Sequence, residues 1–344
     1  MTAVVPPRLS WNTRNQQKTP AAQRITPPAS PEARCSVIEG DNLAALSCLS
    51  EEIPNSVSLA YLDPPFLTGR EHFRVERKKT ESGKIDRTSL RAFDDRWSSL
   101  NEYLDALEPR LRAIHKLLAP HGSLVLHVDP KTSHYAKIIC DELFGLDSFA
   151  SEVIWRYRRW PSKTKNFQKV HDVMLRYVKD PGAEPRFNQL YEPLAPSTQK
   201  TWGDRKQRAV TDKTGRRLRS SKTREKSRGV PMGDVWEIGI VAPVAKERTG
   251  YPTQKPEALM KRWIESCTDE GDLVLDPYMG SGTTLSAAHQ LNRRSIGIDM
   301  GEESHRVASA RLLDLGVTYE KRSLSAPLAR GRSSEPDLKR ASGL

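Results

Sequence analysis

No run of about 18 consecutive apolar residues occurs in the 344-residue chain, so no segment qualifies as a membrane-spanning helix. The first residues lack the short apolar core of a secretory signal. Pro6, Pro7, Pro20, Pro27, Pro28 and Pro31 also forbid the amphipathic helix of a transit peptide. The expectation is a protein of the cell interior with no membrane partner. Cysteine is scarce: Cys35, Cys48, Cys140 and Cys267 show no Cys-x-x-Cys spacing and no paired histidines nearby. Neither a disulfide framework nor a metal site is indicated, and reduced core thiols are expected. Apolar residues make up only 37% of the chain against 28% charged, so the polar excess has to sit somewhere identifiable.

Positive charge is what the chain has in surplus. The formal net charge is +12, and between Trp155 and Gly229 there are 21 Lys and Arg against 7 Asp and Glu. That stretch exceeds the surplus of the whole chain, which leaves the remainder near neutral. A local excess of this kind suits a polyanionic partner. Residues 1–33 and 319–344 are polar, bear Pro and Ser, and lack periodicity, so both are expected to be disordered tails. Between them, short apolar runs alternate with stretches of helical periodicity. Strands are expected at Cys35–Ile38, Val57–Leu62, Ser123–Val128, Glu152–Tyr157, Val173–Val178, Leu273–Leu275 and Ser295–Ile298. The pattern predicts an α/β fold, a doubly wound and mostly parallel seven-stranded sheet (Rossmann-like), carrying a basic insertion.

Two motifs fall at strand ends. In Asp276-Pro277-Tyr278-Met279-Gly280-Ser281-Gly282-Thr283-Thr284, a buried strand delivers an acid and a Gly-x-Gly turn then opens a helix. Such glycines let backbone approach a ligand closely, and Asp299, about 20 residues on, can accept hydrogen bonds from ribose hydroxyls. The third glycine of the dinucleotide pattern is replaced by Leu285. The motif therefore points to an adenosine-bearing cofactor with a carboxylate and no phosphate, the carboxylate facing the helix start at Thr283.

The second motif is Asp63-Pro64-Pro65-Phe66. An aromatic amine is a poor nucleophile because its lone pair is delocalised into the ring. Acceptors on its two N–H bonds, the Asp63 carboxylate and the Pro64 carbonyl, favour a pyramidal nitrogen and offset the positive charge of its attack on a sulfonium methyl. Two prolines stiffen the backbone, and Phe66 offers a face for base stacking, worth roughly 1–3 kcal/mol.

Together with Tyr251-Pro252-Thr253-Gln254-Lys255-Pro256, these motifs and their order resemble the β class, the permuted branch of the S-adenosylmethionine-dependent DNA amino-methyltransferases. The resemblance covers roughly residues 35–318. It implies that residues 34–180 form the catalytic half, 181–232 a target-recognition insertion, and 233–318 the cofactor-binding half. It further implies that Asp63, Pro64, Pro65 and Phe66 are catalytic and that Asp276, Pro277, Gly280, Gly282, Thr283 and Asp299 hold S-adenosylmethionine. Gln254 and Lys255, followed by Pro256, match the segment flanking the methionine end of that cofactor. Asp41 and Asn42 match a turn near its adenine, although Asp41-Asn42 also reads as a plain helix cap and Lys255-Pro256 as a helix start.

Double-stranded DNA is the implied partner, with homodimerisation and a cognate restriction endonuclease left open. Residues assigned to DNA are Arg156, Arg158, Arg159, Lys163 and Lys165, then Arg205, Lys206, Arg208, Arg216, Arg217 and Arg219, with Trp155, Trp160 and Trp202 among them for stacking. Most of these charges are expected on phosphates, which position without specifying. An internal target amine requires the base to be extruded.

His127 and Asp129 end a strand near the expected crevice, where Asp129 reads as a helix cap. His72 lies in the loop after the catalytic motif, close enough for DNA. Phe93-Asp94-Asp95-Arg96-Trp97 resembles a stretch common in relatives, and no role follows from its residues alone. Methylation at cytosine carbon 5 is excluded because no cysteine follows a proline. N6 of adenine and N4 of cytosine both fit, with Asp at the first motif position leaning towards adenine. An RNA or protein-glutamine methyltransferase fits the order and insertion poorly, and an inactive DNA-binding relative fits the intact motifs poorly.

Overall fold

A computed structural model of the chain describes residues 8–14, 23–27, 33–79, 85–163, 165–206, 209–219 and 225–325. In chain order these form β1 (Cys35–Glu39), α1 (Asn42–Glu52), β2 (Val57–Leu62), β3 (Arg70–Lys79), β4 (Ile85–Asp95), α2 (Leu100–Leu117), β5 (Leu118–Val128) and α3 (Pro130–Phe144). Then come β6 (Phe149–Arg156), β7 (His171–Val178), β8 (Tyr191–Glu192), α4 (Pro196–Trp202), β9 (Ala209–Thr211), β10 (Arg217–Arg219), β11 (Val230–Pro231) and β12 (Val235–Glu237). The last elements are α5 (Glu257–Cys267), β13 (Leu273–Asp276), α6 (Thr283–Gln290), β14 (Arg294–Asp299), α7 (Glu302–Asp314) and β15 (Glu320–Ser323).

Alternate residues of a strand face opposite sides, and the central strands are apolar on both. Ala60, Leu62, Leu124 and Leu126 meet Leu46 of α1, Leu107 and Leu111 of α2 and Ile139 of α3 on one face. On the other, Leu59, Tyr61, Val125 and Met174 meet Leu259 and Trp263 of α5 and Ala287 of α6. Burial on both faces is the condition for a parallel sheet. The sheet runs β12-β6-β7-β5-β2-β13-β14-β1-β15, with only β7 antiparallel to its neighbours.

All seven expected strands lie in this sheet, but it has nine. β12 and β15 add one strand at each edge. β15 corrects the expectation of a disordered tail for residues 320–323, and residues 326–344 lie outside the described residues. Within the expected N-terminal tail, residues 8–14 and 23–27 are likewise ordered against the domain, while 1–7, 15–22 and 28–32 lie outside the described residues. Leu9 and Trp11 pack on the core, and Arg14 pairs with Glu108 of α2 at 3.0 Å and Glu142 of α3 at 2.6 Å. Ile25 bridges Leu324. These anchors are single residues, side chains or one backbone bridge, with distant partners, so they leave no periodic trace.

β3 and β4, which the sequence pattern did not flag, form a separate antiparallel hairpin right after the Asp63 motif. In the basic insertion, β9 pairs with β10 and β8 with β11, both outside the main sheet. Cys35, Cys140 and Cys267 are buried free thiols, and Cys48 is half-buried.

Candidate active site

From β2 the chain proceeds through α2 to β5 on one side, and from β13 through α6 to β14 on the other. Adjacent β2 and β13 are parallel, so winding reverses between them. A crevice opens beyond the carboxyl ends of strands at such a switch point. A cavity of about 600 Å³ lies there, lined from the β2 end by Asp63, Pro64, Pro65 and Phe66 and from the β13 end by Asp276, Pro277, Gly280 and Thr283. The motifs are 213 residues apart in sequence (63 to 276) and share one wall-to-wall space.

On the β13 side, Asp276 is fully buried, and burial pushes its carboxyl up to about 7, against hydrogen bonds from Thr284 and the Tyr278 N–H. Gly280 and Gly282 have φ of +50° and +72°, a region that side chains with a Cβ avoid. A Cβ at Gly282 would lie 2.9 Å from that of Ala308. Gly282 is the left-handed cap of α6 and does not itself line the cavity. Asp299, at the end of β14, accepts the Gly280 N–H at 2.9 Å and the Gly301 N–H at 2.8 Å, which ties the glycine turn to the next strand.

Asp41 and Asn42 also line the cavity. Asp41 caps α1 by accepting from the Ala44 N–H at 3.0 Å, and Asn42 donates to the Pro277 carbonyl at 2.8 Å, so the cap and the cavity wall are the same residues. Arg110 of α2 donates to both, at 3.1 Å and 2.5 Å. Lys255 lines the cavity, but Gln254 does not. The Gln254 amide instead braces its own loop, accepting from the Thr249 N–H at 2.8 Å and donating to the Glu247 carbonyl at 2.6 Å. Its expected place at the methionine end of the cofactor is one loop residue removed from the cavity wall that Lys255 forms.

On the β2 side, the Lys255 ammonium contacts Asp63 Oδ2 and lies 5.2 Å from the Phe66 ring centre. Asp63 Oδ1 is buried with no hydrogen-bond partner among the described residues and faces Nδ1 of His127 at 3.6 Å. His127, wholly buried, sits 2.7 Å from the Tyr61 hydroxyl and 3.4 Å from Asp172 Oδ2. Burial pushes the Tyr61 phenol well up, so it keeps its proton. Asp172, on β7, pairs with Lys169 at 2.9 Å and accepts from the Tyr157 hydroxyl at 3.1 Å. Burial alone would raise its carboxyl, but His127 and Lys169 outweigh that and hold it well below the usual range.

The Phe66 ring packs tilted on His127, 5.3 Å between centres, with the Lys169 ammonium 5.8 Å away. Asp129 caps α3, accepting from the Lys131 N–H at 2.9 Å, and also pairs with Lys169. His72 stacks on Phe93 at 4.5 Å in the cavity wall. Sequence reasoning missed Tyr61 and Asp172, because no local spacing connects them to the motif they support, and it counted Lys169 with the basic cluster expected on DNA, whereas its ammonium pairs with Asp129 and Asp172.

The basic residues divide. Trp155, expected to stack on bases, is 2% exposed and donates from its indole to the Ile238 carbonyl at 2.8 Å. It is a core residue, because β6 becomes interior once β12 pairs beside it. Arg156 pairs with Glu237 of β12. The β6–β7 loop contains no acid between Tyr157 and Val170. It exposes Arg158, Arg159, Lys163 and Lys165 beside Trp160 and Phe167, at 91% and 99% exposure. Arg205, Lys206 and Arg216 are exposed, with Lys206 paired to Glu225 at 3.0 Å. Arg217 and Arg219 lie on β10, Trp202 ends α4, and Arg208 lies outside the described residues.

The DNA methylase family of the N6/N4 type matches residues 57–310. A Type II methyltransferase of Haemophilus parainfluenzae, M.HpaI, is 29% identical over 268 residues, 78% of this chain and 72% of that protein. The DNA adenine methyltransferase YhdJ of Escherichia coli (strain K12) is 28% identical over 290 residues, covering 84% and 86%. Among solved structures, the cytosine-N4-specific PvuII DNA methyltransferase superposes with a TM-score of 0.53 at 18% identity, covering 85% of this chain and 90% of that one. At that identity the likeness concerns the fold.

Proposed function

The chain belongs to the DNA methylase family of the N6/N4 type, and from that premise we propose that it methylates N6 of adenine in double-stranded DNA, with Asp63 and Phe66 holding the extruded base. As a member, it is an S-adenosylmethionine-dependent DNA amino-methyltransferase. The observation that carries the proposal is the shared cavity: Asp63 and Phe66 follow β2, and the Asp276–Thr283 turn leaves neighbouring β13.

The residues fit the cofactor. Gly280, at positive φ, brings bare backbone to the cavity, Asp41, Asn42 and Asp299 offer polar groups, and the cations of the lining are already paired, Arg110 with Asp41, Lys255 with Asp63 and Arg91 with Asp94. Bound there, S-adenosylmethionine supplies an electrophilic methyl on a sulfonium. This chain's residues do the rest. Asp63 accepts a hydrogen bond from the exocyclic amine and stabilises the positive charge its nitrogen would carry on gaining the methyl as the sulfur's C–S bond breaks, after which the surplus N–H proton leaves to water. Phe66, backed by His127, gives the base a face to stack on. Lys255 sits on Asp63 Oδ2, which leaves Oδ1, without a hydrogen-bond partner among the described residues, as the open acceptor. The acid-free β6–β7 loop, with Arg158, Arg159, Lys163 and Lys165, lies along the duplex and contacts phosphates.

Adenine is favoured by Asp at the first motif position. Genomic DNA lacking methylation, incubated with the protein and S-adenosylmethionine and then read by single-molecule sequencing, tests this directly. N6-methyladenine at one recurring sequence is expected, and N4-methylcytosine in its place would overturn the choice of base.

A further inference from the structure

The stretch Phe93-Asp94-Asp95-Arg96-Trp97 carries one side chain whose placement is unusually constrained. Asp95 ends β4 and is 1% exposed. Its carboxylate accepts from the Phe66 N–H at 3.2 Å, the Leu67 N–H at 2.9 Å and the Thr68 N–H at 2.9 Å. It also accepts from the Thr68 hydroxyl at 2.5 Å and the Trp97 indole at 3.0 Å. Five donors converge on two oxygens, and three of them are consecutive backbone amides immediately after the two prolines.

The turn they hold is not one the chain adopts freely. Leu67 has φ of +56°, in the left-handed region that non-glycine residues occupy at a cost. Its carbonyl is held by the Lys131 ammonium. The Asp95 carbonyl also accepts from the Gly69 N–H at 3.0 Å, and Asp95 pairs in register with Arg70. The base of the β3–β4 hairpin is therefore clamped to the segment that carries Phe66. Prolines 64 and 65 stiffen that segment on one side, and the carboxylate closes it on the other.

We propose that Asp95 is a positioning residue for base capture: its carboxylate fixes the 66–68 turn and so sets where the Phe66 ring receives the target base. The inference rests on the reading of Phe66 as the base platform. Asparagine is the informative replacement, because it keeps the shape but presents an NH2 group to amides that are themselves donors. The N–H groups that bonded to the replaced oxygen then have no acceptor.

The test is a double-mutant cycle in the full-length protein, with Asp95→Asn, Phe66→Ala and the combined variant. Single-turnover methyl transfer and the fluorescence of 2-aminopurine at the target position report on each. For Asp95→Asn, transfer is expected to fall about 100-fold, the scale set by an ångström of misplacement. The 2-aminopurine signal should change with it, while cofactor affinity by calorimetry stays at the wild-type value. The double variant should be no slower than the slower single one. Losses that multiply, or an Asp95→Asn protein that methylates like the wild type, overturn the proposal.

Should Asp95→Asn fail to fold, Thr68→Val removes one donor from the same carboxylate. It should give a smaller loss, again absent in the Phe66→Ala background, and wild-type transfer by Thr68→Val counts against the proposal. If Phe66→Ala alone methylates and extrudes the base normally, the platform reading fails instead, and the two failures are distinct.

Discussion

Replacing Asp276 with asparagine should change how the protein's stability responds to pH. The group is fully buried, and burial raises its carboxyl from 3.8 to about 7. Between those values the unfolded chain has lost the proton that the folded protein keeps. The native state binds more protons over that window, so stability falls as pH rises. The contribution is fully present below about pH 4 and gone once pH has passed about 7. A shift of roughly three units at 1.36 kcal/mol each amounts to about 4 kcal/mol. Asparagine has nearly the same shape and does not titrate. Other carboxylates, such as Asp172, are lowered on folding and act in the opposite sense in both proteins, so the difference between them isolates position 276. Urea unfolding at intervals from pH 4 to pH 8 measures it. The asparagine variant should gain on the wild type by up to about 4 kcal/mol across the window, then run parallel above it. A cationic ligand in the same cavity favours the ionised carboxylate, so cofactor affinity should rise with pH in the wild type and stay flat in the variant. Stability curves that stay parallel throughout would refute the reasoning.

Asp63→Ala removes the acceptor for the amine, so single-turnover transfer should fall by at least about 10²–10³-fold while calorimetry shows cofactor binding retained. Near-normal turnover would remove Asp63 from the chemistry. Arg14→Ala leaves Glu108, 2% exposed, with Arg112 as its remaining cation, and should cost about 1–3 kcal/mol in denaturant unfolding. No loss would mean that the N-terminal segment does not dock in solution. Replacing Arg158, Arg159, Lys163 and Lys165 together with glutamine should flatten the slope of log affinity against log salt by about 3–4, at roughly 0.9 per phosphate contact. An unchanged slope in a fluorescence-anisotropy titration would place the duplex elsewhere.

Much of the fold was legible because its determinants are local. Apolar runs such as Val57–Leu62 and Leu273–Asp276 are buried on both faces, and two-sided burial leaves an uninterrupted run in the sequence. The acids that end them, Asp63 and Asp276, and the Gly280–Gly282 turn are visible because a strand end, a turn and a helix start each impose residue types at fixed spacing. The tails, the β3–β4 hairpin and the edge strands β12 and β15 were not legible. A short half-exposed strand carries no periodicity of its own, and β15 pairs with β1, some 280 residues away.

The sequence by itself determined the layer architecture, the order of the motifs and the residues that end the central strands. Only the tertiary structure decided what those residues touch. It placed Lys255 on Asp63 and set His127 and Asp172 behind the motif. It buried Trp155, turned Gln254 inward to its own loop, and brought Asp95 onto the turn at Phe66. The reason is that a charged or aromatic residue has the same local signature whether it is solvated, paired or packed. Which of these it becomes depends on strand order and register, and those are properties of the whole sheet.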